Sequence, residues 1–129
     1  MINIKKDTTN TIVLELSSIM GASYSNFLFE FTPEWISESP SRYFTTPNTS
    51  PYINRYDEFV LTEDSLGAAA QAVDNAPIQL TSGQYKYNVY TSINTIDIND
   101  LSTLLATDAI QTGRMLVTGA DSFIHSVYQ

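Results

Sequence analysis

The chain has 129 residues, 43% of them hydrophobic, no cysteine, and a formal charge of −8 from six basic and fourteen acidic residues. This suits a single β-sandwich domain over 1–129 with one core of its own, and it excludes thiol catalysis, disulfides and cysteine–zinc sites. The cations Lys5, Lys6, Arg42, Arg55, Lys86 and Arg114 are scattered, so the clustered basic surface that neutralises phosphates is missing and no nucleic-acid partner is expected.

The opening Met1–Asp7 stretch has two lysines followed by neither an apolar core nor a small-residue cleavage site, so it does not read as a signal peptide. No apolar run approaches the ~20 residues that span a bilayer, and no membrane partner is expected. Thr11–Leu16 reads as a strand with Ile12, Leu14 and Leu16 on one face and Val13 and Glu15 on the other. Phe27–Thr32 alternates more strongly, placing Phe27, Phe29 and Phe31 inward and Glu30 outward. Pro33 lacks an N–H for a ladder bond and is expected to end the pairing.

Arg42–Thr45, between Pro40 and Pro47, is a shorter candidate, and Glu58–Thr62 points Phe59 and Leu61 together. Ala76–Leu80 leads through a Thr81-Ser82-Gly83 turn into the clearest strand, Gly83–Thr91. There Tyr85, Tyr87 and Val89 share one face. Gln84, Lys86 and Asn88 share the other, with Tyr90 interrupting the polar side. Gly113–Gly119 is the last strand candidate. Short strands at a spacing of roughly ten residues predict an all-β fold, an antiparallel Ig-like β-sandwich of about six to eight strands.

Two segments break this rhythm and predict one or two short helical insertions. Asp64–Asn75 contains the helix-friendly run Leu66–Val73. Asn94–Thr112 is a long connection in which Asp100 is expected to cap one or two turns through Leu104 and Leu105. The tail, Ala120–Gln129, suits an edge strand, a short helix or a contact with a neighbouring subunit.

The chemistry-bearing residues form no reaction motif. His125 is the one histidine, and its neighbours Asp121, Ser122 and Ser126 are close only in sequence, whereas a triad needs convergence in space. Asp97-Ile98-Asn99-Asp100 offers hard oxygen ligands. Counted from Asp97, however, the glycine and glutamate positions of an EF-hand loop hold Ser102 and Asp108, so capping and solvation are the expected use. Glu15 and Glu30 stand opposite the apolar faces of their strands, where exposed carboxylates are ordinary, although a glycosidase pair is defined spatially. Asn48-Thr49-Ser50 matches a glycosylation sequon, and because the opening stretch does not read as a signal peptide the match is expected to be a chance one. No catalytic residue, cofactor or metal is expected.

Eight tyrosines, six phenylalanines and Trp35 are left to explain. Phe27, Phe29, Phe31, Phe59, Tyr85 and Tyr87 are core by pattern. Trp35, Tyr43, Tyr52, Tyr56, Tyr90 and Tyr128 lie off those faces or in loops. There they are either half-buried at sheet edges or serve as interface and sugar-stacking groups. The candidate contact residues are Trp35, Tyr52, Tyr56, Leu66, Val73, Tyr90, Leu104, Leu105, Phe123 and Tyr128.

Taken in order, Asn10–Leu16, Phe27–Phe31, Arg55–Glu63, the tyrosine strand from Gly83, and Thr112–Gly119 resemble small β-sandwich virion proteins of tailed phages that infect Bacteroidetes, crAss-like phages included. The resemblance covers about two-thirds of the chain and rests on the joint order and spacing of the segments. It implies a non-enzymatic structural subunit of the virion, a head-fibre or capsid-associated protein assembled in the host bacterial cytoplasm. Such a subunit self-associates as a dimer or trimer and docks on other virion proteins. A tail or baseplate component, or a carbohydrate- or receptor-binding module of the same fold, is the alternative, with a surface glycan as ligand. The Ser65–Ala76 and Asn94–Thr112 segments are longer than the turns usual in that pattern, which makes them the expected attachment elements together with the tail.

Overall fold

The computed structural model describes residues 2–15, 26–34, 41–47, 56–68, 71–74, 76–92 and 94–119. Among them run β1 (Ile2–Lys5), β2 (Thr9–Leu14), β3 (Asn26–Pro33), β4 (Arg42–Thr46), β5 (Asp57–Ala68), β6 (Gln71–Ala72), β7 (Gly83–Ser92) and β8 (Gln111–Thr118). One helical turn, α1 (Ser102–Leu105), precedes β8. The larger sheet has the order β1-β8-β7-β3-β4-β6, and β2 and β5 form a second sheet. This is the all-β, sandwich-like fold read from the alternating pattern. Its larger sheet is mixed, because β1 pairs with β8 and β4 with β6 in parallel.

The core lies between the sheets. Phe27, Phe29 and Phe31 of β3, Tyr85, Tyr87 and Val89 of β7, and Met115 and Val117 of β8 turn to one side. There they meet Ile12 of β2 and Phe59 and Leu61 of β5. The Phe59 ring stands edge-on to both Phe27 and Phe29, with centroids 4.9 Å and 5.0 Å away. Such T-shaped contacts add to the large area that each ring buries. Phe59 is thus the main contact of the two-stranded sheet with the centre of the six-stranded one.

The sequence expectations are corrected at several points. Asp64–Asn75 is not helical where it is described: β5 continues to Ala68, and Gln71–Ala72 is a strand. Helix propensity is overridden here by pairing with the following segment. Ala68 N–H donates to Pro77 O, and Gln79 N–H donates to Ala68 O. Gly67 permits that approach, because a Cβ at this position would lie 2.8 Å from the Pro77 carbonyl carbon. Within Ala76–Leu80, the lead into β7, Ile78 makes isolated bridges to Glu63 and Ala68. Pro33, by contrast, ends the pairing as expected: it is the last residue of β3 and sits opposite Tyr85 at the end of the β3·β7 ladder. The helical turn does form after Asp100, but its N-cap is Leu101, without a side-chain cap. Asp100 instead accepts a hydrogen bond from the Ser102 hydroxyl. Leu16 and the tail residues 120–129 lie outside the described residues.

A buried ion pair closes one corner of the sandwich. Lys6, just after β1, places its ammonium 3.5 Å from Glu63 Oε2, with both side chains almost wholly out of water. The Glu63 carboxylate also accepts the N–H groups of Asp7 (2.9 Å) and Leu80 (2.8 Å), while the Lys6 ammonium donates to Leu80 O. Asp7 takes a left-handed φ of 59° in this turn, a conformation that Asp tolerates better than most residues. Each charge is therefore paired and hydrogen-bonded, the condition under which burial is tolerated.

Lys6→Met leaves the carboxylate buried without its ammonium and is expected to lower unfolding free energy in urea melts by about 3–5 kcal/mol. Adding Glu63→Gln, which removes the unpaired charge and keeps an oxygen acceptor for one of the two amides, is expected to restore part of that loss. Phe59→Ala is expected to cost about 3–5 kcal/mol in the same assay through the cavity it opens against Phe27 and Phe29.

Candidate functional site

The outer face of the larger sheet carries the densest group of polar and aromatic side chains. Alternation along β3 turns Leu28, Glu30 and Thr32 to this side, and along β7 it turns Lys86, Asn88 and Tyr90. The ladders place Glu30 between Tyr43 of β4 and Asn88 of β7. Asn88 Nδ2 donates to Glu30 Oε1 at 2.9 Å, and the Tyr90 hydroxyl donates to the same oxygen at 3.4 Å. Glu30 is half-buried rather than the freely solvated carboxylate expected from the alternation.

The Tyr43 and Tyr90 phenols are both held above their ordinary value, first by burial and then by the negative charge of Glu30 and the hydrogen bond to it. Proximity to an anion favours the neutral, hydrogen-donating phenol. Next to this group the 94–110 connection folds back on the sheet. Ile98 and Leu101 bury themselves with Leu28 and Tyr90, and Ile96, Leu104, Leu105 and Ala109 pack around them. This cover is why Leu28 is buried although it faces away from the main core.

Between the end of β7 and α1 lies an open groove of about 570 Å³. Its walls include the hydroxyls of Thr91, Ser92 and Thr103 and the carboxylates of Asp97 and Asp100. Asp97 Oδ1 accepts the Asn99 N–H at 3.0 Å, and Asp100 N–H donates to Asp97 O, also at 3.0 Å. The Asp97 carboxylate thus takes part in the local turn, and the Asp100 carboxylate does so by accepting from the Ser102 hydroxyl.

The ten contact candidates separate clearly. Leu66 is 93% exposed on β5, and Val73, just past β6, is 54% exposed. Tyr56 is half-buried immediately before β5, and Leu104 and Leu105 are half-buried on α1. Tyr90 is 7% exposed, which corrects its placement on an open contact surface, because Ile98 and Leu101 cover the ring. Trp35, Tyr52, Phe123 and Tyr128 lie outside the described residues, as does His125. The structure gathers Tyr90, Leu104 and Leu105 into one cluster and does not bring Leu66 or Val73 into it.

Sequence reasoning missed the Glu63 hub. The signal was present: Phe59, Leu61 and Glu63 share parity on β5, which puts a carboxylate at a core position. No protein-family model, curated protein or solved structure matches this chain.

For both tyrosines the folded-state pKa is raised, so their contribution to stability is complete below the ordinary phenol value of about 10 and is lost as pH rises through the folded value. Glu30→Gln removes the anion. It is expected to bring the last part of the tyrosinate absorbance titration to lower pH and to make the alkaline loss of stability shallower. Identical titration curves for the two proteins would refute the coupling.

Proposed function

We propose that the chain is a non-enzymatic structural subunit of a tailed-phage virion, a head-fibre or capsid-associated protein that self-associates and docks on other virion proteins. The observation that carries this reading is the display of large apolar side chains on strands or directly beside them. Leu66, Val73 and Val13 are 93%, 54% and 57% exposed. Val13 lies in the β2·β5 ladder, and Leu66, beyond that ladder's end at Thr62, lies on β5 between Ser65, whose carbonyl accepts from Gln79 Nε2, and Ala68, which pairs with Pro77 and Gln79. An exposed leucine on a strand is a ready contact for a partner, since the backbone ordering that association otherwise requires is already made. The reading also draws on the segment order that resembles virion proteins, because each segment contributes a strand to the fold.

A glycan- or receptor-binding role is the second reading, favoured by the groove beside α1. Its hydroxyls and carboxylates, with Ile96 and Leu104 as apolar wall, suit the hydrogen bonding of a sugar. A glycan array with no hits would remove it.

Purified particles are the decisive material for the lead reading. Peptides of this chain are expected by mass spectrometry at a fixed ratio to the capsid protein, and their absence would overturn the assignment. Leu66→Asp is expected to leave the melting temperature within a few degrees of the parent and to reduce incorporation into particles.

A further inference from the structure

The two-stranded sheet has an edge whose chemistry is specific. Glu63 N–H donates to Thr8 O at 3.0 Å, and β2 and β5 are antiparallel with Thr9 opposite Thr62. Antiparallel ladders alternate bonded and non-bonded pairs. The bonded pairs are therefore Thr8–Glu63, Asn10–Leu61, Ile12–Phe59 and Leu14–Asp57. The close approach of the Thr9 and Thr62 hydroxyls, 3.1 Å apart, agrees with a non-bonded pair between them. Thr9, Thr11 and Val13 consequently turn their N–H and C=O groups away from β5. Among the described residues no strand pairs with that side of β2.

Strand edges of this kind template further pairing unless a charge, a proline or a bulge blocks them. β2, Thr-Asn-Thr-Ile-Val-Leu, has none of these, and Thr9, Thr11 and Val13 are all exposed. A cleft of about 320 Å³ runs beside it, with Ile2, Ile12, Leu14 and Tyr87 among its walls.

We propose that β2 is the strand through which two copies of this chain pair, antiparallel about a two-fold axis at Thr11. The assignment rests on the self-association reading and gives it a surface. In this register Thr11 faces the second copy's Thr11, and Thr9 faces the second copy's Val13. Every outward-pointing backbone group of Thr9, Thr11 and Val13 then meets its complement. The cross-strand neighbours are β-branched, which favours sheet packing. β2 itself carries no charged side chain between Asp7 and Glu15, although this register sets Asp7 opposite the second copy's Glu15 just beyond the paired stretch. The outcome is a continuous β5-β2-β2-β5 sheet with the isologous contact of a closed dimer.

Thr11→Pro removes an outward N–H without touching a β2·β5 bond, and proline is tolerated at such edges. Thr11→Lys keeps the N–H and adds a charge. Multi-angle light scattering and sedimentation over a dilution series are expected to show a dimer for the parent chain. Both variants are expected to be monomeric, with at least tenfold weaker association and unchanged strand circular dichroism. A parent that is monomeric at every concentration, a trimer, or a dimer that survives both substitutions would overturn the proposal. Particle incorporation is scored separately. A chain found in particles but not paired through β2 sinks the edge assignment alone, and a β2 dimer absent from particles sinks the virion reading alone.

Discussion

The Lys6–Glu63 pair is the constraint on which the sandwich depends. Glu63 belongs to the smaller sheet, whereas Lys6 and Leu80 lie on the chain leading out of β1 and into β7 of the larger one. One carboxylate therefore joins the two layers at a corner where the β1·β8 and β2·β5 pairings end. It also fixes register. A slip of β5 by one residue would bring Thr62 or Asp64 to the corner and turn Phe59 and Leu61 outward, so the polar contact and the apolar row specify the same alignment. Replacing such a pair by apolar groups often costs little in stability. At this corner, though, two backbone N–H groups would lose their acceptor.

The apolar side of that alignment was legible in the residues themselves. Period-two runs with aromatic or β-branched residues at every second position gave β3, β7 and the first half of β5, because burial on one face imposes that spacing. Three things were not legible. β1 is four residues long and pairs with the distant β8, and its Ile2-Asn3-Ile4-Lys5 alternation is too short to stand out as a strand. The extension of β5 through Ser65–Ala68 depends on Pro77 and Gln79 as hydrogen-bond partners, and its local composition favours a helix. The surroundings of Glu30 are set by Tyr43 and Asn88, which are distant in sequence, and by a connection whose fold carries no periodic signal. Each failure has one origin: the deciding neighbour lies outside any local window.

The two faces of the larger sheet are used differently. The inner one is packed with rings and branched aliphatics. The outer one mixes an apolar cover, Ile98 and Leu101 over Leu28 and Tyr90, with a phenol–carboxylate–amide group whose members satisfy one another. The two-stranded sheet, by contrast, leaves Thr9, Thr11 and Val13 exposed, and among the described residues no comparable cover lies on it. Contact with another molecule is thus more available at the thin layer than at the thick one.

The parallel pairing of β1 with β8 has a temporal consequence. Ile2 is opposite Met115 and Lys5 is opposite Thr118, so β1 finds its partner only after the intervening chain has been made. Long-range pairing of this kind slows folding, because the intervening loop must be closed before the contact forms. Until then β1 lacks its ladder partner. Completion of the sheet is therefore a late event, and any association that needs the finished corner at Lys6 waits for it.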